Sequence, residues 1–198
     1  MSADAEARAV PTRAAPDHLL VAAGAAIVAA GSMMLLARPF VGLGADARAA
    51  LFAASYVAVA SASISYPVDA RVSRRSTDAT VWLPLSIGVG AVVAVSVTGT
   101  AVPIPATVLA LPLSVIAAVA EEALFRRVAY ARLERFGPAI AIAVTAALFG
   151  LIHLPTYGTT ALPVDLSAGL LFGWQRWASG TWTVPASTHA LANILASL

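Results

Sequence analysis

The sequence predicts an all-α, polytopic transmembrane bundle of about seven helices with an active site inside the bilayer. Three observations predict it. The chain of 198 residues is 60% hydrophobic and 11% charged, whereas soluble domains are nearer about 25% charged. Its apolar residues come in runs of about 20, the length that crosses a bilayer. One such run, ATVLALPLSVIAAVAEEALFRR, carries two adjacent acids, Glu121 and Glu122. Ionisable groups at membrane depth are costly and mark function.

Residues 1–18 are polar and of mixed charge, and read as a flexible N-terminal tail. Residues 19–198 read as one transmembrane domain, with the N-terminal helices in 19–104 and the polar motifs in 105–198. The first span is 19–37. Arg8 and Arg13 precede it as in a signal peptide, but its length and the spans that follow make it a retained helix. A loop around Arg38–Arg48 leads to a second span over 49–66. Pro67 and a segment holding Arg71, Arg74 and Arg75 separate this from a third span, 79–98. Gly99, Pro103 and Pro105 mark the next turn. The fourth helix starts near Ala106 and passes through the glutamates without a breaker until Gly137-Pro138, which stops it and starts the fifth. That helix is expected to end at His153 or Leu154, before Pro155 and Gly158. A sixth covers 162–178. Thr183 is expected to cap a seventh, with Pro185 in its first turn.

All twelve basic residues are arginine. With the abundance of alanine, this composition fits a GC-rich bacterial genome and a place in the bacterial plasma membrane. The net charge of +2 does not mark a nucleic-acid partner. The arginines instead orient the chain: with the N-terminus cytoplasmic, only Arg38 and Arg48 fall outside. The absence of cysteine excludes disulfides and thiolate chemistry.

Few groups in these helices move protons. They are Glu121 and Glu122 on the fourth helix, His153 at the end of the fifth, and His189 on the seventh, with Asn193 one turn on. Glu121 lies sixteen residues before Gly137 and His153 sixteen residues after it. At ~1.5 Å per residue both stand about 24 Å from the turn, so an antiparallel hairpin sets them at one depth. Glu122 and Arg126 are four apart and pair on one helix face. Glu121 is turned by about 100° from that pair and is the better base. Phe149 is placed to wall one side of the His153 ring. His189 and Asn193 share a face, and both have hydrogen-bond donors for one oxygen. This set suits hydrolysis by activated water with a stabilised oxyanion. Ser187 is two residues from His189 and points elsewhere. Glu121, His153 and His189 are also competent zinc ligands, and although the H-E-x-x-H spacing is missing, metal-dependent and metal-free sites both fit the sequence.

Three segments resemble the motifs of the CPBP family of intramembrane proteases, also called the CAAX-protease, bacteriocin-processing or Abi family. They are E-E-x-x-x-R at Glu121–Arg126, F-x-x-x-H at Phe149–His153 and H-x-x-x-N at His189–Asn193. The resemblance covers residues 105–198. It implies a membrane endopeptidase, formerly classed with metalloproteases, in which Glu121 and His153 activate water and His189 with Asn193 forms the oxyanion hole. Glu122, Arg126 and Phe149 would support the site. The favoured form uses no cofactor, with a divalent metal such as zinc left open. The partners implied are the lipid bilayer and a membrane-associated protein or peptide substrate, prenylated in the best-known branch. One departure is that no clear span follows Asn193.

Each feature also has a structural reading. The acids could mark a solvated helix end, His153 an interfacial residue, and His189 with Asn193 interhelical glue. A non-catalytic immunity or scaffold protein of the same fold is the main rival. A small transporter would call for inverted repeats or glycine-broken helix pairs, and the sequence has neither. Arg127, Arg132 and Arg135 read as orientation charges, Arg176 between two tryptophans as an interfacial anchor, and Asp165 has no assigned role.

Overall fold

The computed structural model describes residues 17–40, 42–68, 78–98 and 110–197. Most of the expected tail, the arginine-bearing loop near residue 71, the proline turn and the start of the fourth helix at Ala106 lie outside them. The described residues are helical, without strands: α1 (Asp17–Ala37), α2 (Ala45–Ser65), α3 (Asp78–Val97), α4 (Ala110–Glu122), a π-helical segment (Ala123–Ala129), α5 (Tyr130–Leu133), α6 (Pro138–Tyr157), α7 (Leu162–Ser179) and α8 (Thr183–Leu195). From α4 through α5 the chain is one rod, so the bundle has seven. Asp17 and His18, assigned to the tail, already belong to α1.

Four helices are long and apolar enough to cross a membrane: those within His18–Phe40, Asp46–Ser65, Ala79–Val97 and Pro138–Tyr157. The protein is an integral membrane protein. Exposed Met33, Trp82 and Leu83 on α1 and α3 are surface that only lipid would cover. The rod bearing the glutamates lies inside, flanked by α2 and α8, while α3 packs on α7 and α8.

Gly137 takes φ 102° before Pro138, a backbone region that suits glycine, and its N–H closes the turn on Glu134 O at 2.9 Å. Along the α6–α7 contact small residues let backbones meet. A Cβ at Gly169 would lie 2.8 Å from Ala146 Cα. Gln175 ties three helices together, donating to Pro84 O at 2.9 Å and to Thr188 Oγ1 at 2.8 Å.

Three expectations change. Pro155 does not end α6, which runs on to Tyr157 and closes at Gly158. A proline removes one backbone donor, and here the next turn forms beyond it, with Gly158 N bonded to Leu154 O at 2.9 Å. Thr183 is the first residue of α8 rather than its cap, and its side-chain hydroxyl pairs with Thr181 Oγ1 at 2.8 Å. Arg127 and Arg132, expected as orientation charges, also have partners within the bundle. Arg127 donates to the carbonyls of Ser63 and Tyr66, and Arg132 to the Tyr66 hydroxyl, which fastens the rod to the end of α2.

Candidate active site

Glu121 and Glu122 end the regular part of the rod, and Arg126 stands in the π-helical segment that follows. Such segments are rare and cluster at functional sites. Glu122 and Arg126 are fully buried and paired, with Arg126 Nε 3.2 Å from Glu122 Oε2. Arg126 also donates to Gly169 O at 3.0 Å, a reach that the close α6–α7 approach permits. The expected pairing of Glu122 with Arg126 is thus present, and it has a third member. His189 Nδ1 lies 3.1 Å from Glu122 Oε1.

The hairpin brings Glu121 and His153 together, with His153 Nε2 at 3.6 Å from Glu121 Oε2. His153 Nδ1 faces Phe149 O at 2.8 Å. A carbonyl only accepts, so Nδ1 carries the proton and Nε2 is the nitrogen left for chemistry. Glu121 is not isolated, however. Arg38 Nη2 approaches its Oε1 to 3.9 Å. Arg38 had been read as an outer-loop charge, yet it is buried, held by Leu35 O at 2.8 Å and packed over the Tyr56 ring at 4.8 Å.

Phe149 is the hub. Its ring centroid is 4.5 Å from that of His153 and 5.4 Å from that of His189, and the Arg126 guanidinium lies 4.9 Å from its centre. His189 is further fixed by stacking on Phe172 at 5.0 Å. Asn193 Nδ2 donates to Ser114 O at 2.9 Å. The two α8 donors are therefore each anchored on one side, which leaves His189 Nε2 and the second Asn193 amide hydrogen for another partner.

Phe149, His153, Asp165, His189 and Asn193 line one cavity of about 650 Å³ between α3, α6, α7 and α8. The Glu121 side chain is only 3% exposed; it does not line this cavity itself and meets it through His153, which does. Ser187 is exposed and bonds Thr183 O instead, so it takes no part.

Residues 103–195 match a family model described as type II CAAX prenyl endopeptidase Rce1-like. This stretch is similar to that family. It contains all three motifs, so the similarity to the CAAX-type intramembrane proteases covers the α6, α7 and α8 residues that line most of the cavity, while the α3 wall lies outside it. Comparisons with curated proteins and with solved structures give no match.

Within the Rce1-like stretch two residues escaped the sequence reading. Arg176 is buried and donates Nε to Arg126 O at 3.0 Å, so it braces the π-helical segment rather than an interface. No local pattern signals that, since its partner is fifty residues away. Asp165 stands on the cavity wall. Its place on the turn after Pro163 was visible, but not what it faces. The zinc set proposed from sequence is not assembled: Glu121 meets His153 while His189 meets Glu122. Among the described residues no three histidine or acidic side chains converge as metal ligands. No catalytic step is therefore drawn through a metal.

Proposed function

We propose that this protein is an intramembrane endopeptidase that hydrolyses a peptide bond of a membrane-associated protein or peptide. The observation that carries the reading is the 3.6 Å approach of Glu121 to His153 beside a cavity that His189 and Asn193 also line. A water molecule bound by Glu121 and His153 Nε2 attacks the scissile carbonyl carbon and yields a proton to Glu121. The carbonyl oxygen takes up the charge and meets Asn193 Nδ2 and, when its ring carries both protons, His189 Nε2. The carbon–nitrogen bond then breaks, and the proton passes from Glu121 to the leaving amine. Glu122 holds the His189 ring in orientation, and Arg126 holds Glu122.

We place the protein in a bacterial plasma membrane with its N-terminus cytoplasmic, on the arginine distribution. The test is a comparison of membrane-protein termini in cells carrying the wild-type chain or Glu121→Gln. New termini that vanish in the variant name both the activity and its substrate. Identical termini in both would favour the non-catalytic immunity or scaffold reading.

A further inference from the structure

The acids around the cavity do not all have partners. Glu121 has Arg38 and His153, and Glu122 has Arg126 and His189. Asp165 is a third acid and lines the cavity itself, and among the described residues no basic side chain forms an ion pair with it. Its Oδ2 is shielded from solvent and has no hydrogen-bond partner. His153 and His189 are within electrostatic reach of it, but both rings are bonded elsewhere, His153 to Phe149 O and His189 to Glu122. Position in the first turn of α7 gives Asp165 some help from the helix dipole. The residue is half-buried, so one carboxylate oxygen is shielded and unpaired while the group still opens on the cavity.

Pro163, Val164, Ala168 and Leu171 also line this cavity, together with the polar Tyr157 and Ser167, so the carboxylate is a single acidic point on a mostly apolar surface. Such a point discriminates by charge, because a bound cation satisfies it and a neutral group leaves it unpaired.

We propose that Asp165 is a specificity residue that receives a cationic group of the substrate, a guanidinium or an ammonium, in the cavity beside His153 and His189. This rests on the endopeptidase reading for the word substrate, but the binding it asserts is measurable without cleavage. The cation has two sources in a peptide, a basic side chain or a free α-amino group, and the test separates them.

The probes are acylated peptides in detergent micelles, N-terminally blocked, with one arginine moved stepwise along the chain. Each has a twin in which citrulline, its neutral isostere, replaces the arginine. A second series has no basic residue and a free or an acetylated N-terminus. Affinity is measured on the full-length Glu121→Gln protein, so that turnover does not interfere. In at least one register the charged peptide should bind about tenfold or more tightly than its neutral twin, as charged hydrogen bonds do. Asp165→Asn should erase that ratio and Asp165→Glu should keep part of it. Absence of a charge preference in every register and in the free-amine series overturns the proposal, as does a preference that survives Asp165→Asn. Should Asp165→Asn fail to fold, Asp165→Ser replaces it, and the arginine–citrulline comparison on the protein with Asp165 intact still decides. Cleavage by wild type without charge preference would sink this proposal alone. Charge-selective binding without cleavage by wild type would sink the endopeptidase reading alone.

Discussion

Glu122, Arg126 and His189 are buried together, and the guanidinium and the imidazole both contact the same carboxylate. Removing the acid would leave a guanidinium buried with the carbonyl of Gly169 as its remaining bond. Glu122→Ala is expected to cost about 3–5 kcal/mol, the range for breaking a buried pair from one side, measured as a lower Tm in detergent. Glu121→Gln is expected to behave differently. It keeps the shape, its nearest arginine is 3.9 Å away, and the loss should fall on cleavage, by about 10²–10⁴-fold. A Glu122→Ala protein as stable as wild type would mean that the Arg126 charge is met elsewhere. On the proposed reading, the two adjacent acids divide into one that serves the fold and one that serves the chemistry.

The pairings within a single helix were legible as spacing: Glu122 with Arg126, Phe149 with His153, and His189 beside Asn193. So was the depth match across Gly137, because a hairpin of two straight helices has one register. What lay between distant helices was not legible. Arg38 pairs with a residue 83 positions on, and Arg176 with one fifty positions back. No local pattern of residue types encodes either contact. The π-helical segment was hidden for another reason, since its residues are ordinary helix formers and only the hydrogen-bond phase differs. The α6–α7 contact carries its own prediction. Gly169→Val places a branched side chain where even a Cβ meets the Ala146 backbone. It should push the helices apart, lift the Gly169 carbonyl from Arg126, and lower both Tm and cleavage. The expected destabilisation is about 1–3 kcal/mol or more, read by thermal unfolding. Retained activity at wild-type Tm would show that the close approach is dispensable.

The molecule as a whole offers a clean test of its orientation, because it has no native cysteine. With the N-terminus inside, Leu43→Cys after α1 should react with an impermeant thiol reagent added outside intact cells. Phe136→Cys at the α5–α6 turn should react only after the cytoplasmic face is opened. Both positions are exposed, and labelling of the two from one side would refute the arrangement. The central rod raises a different question of assembly. Its first part carries Glu121 and Glu122, and it is bolted to α2 by Arg127 within the π-helical segment and by Arg132 beyond it. The π-helical stretch between the acids and Arg132 is a clocking joint that sets the angle of one part against the other. Wound as an ordinary α-helix, the same residues would take fewer per turn. Arg132 would then stand at a different angle to the acids. A more regular helix would then be the worse one, because the rod could seat its anchors or aim its carboxylates but not do both.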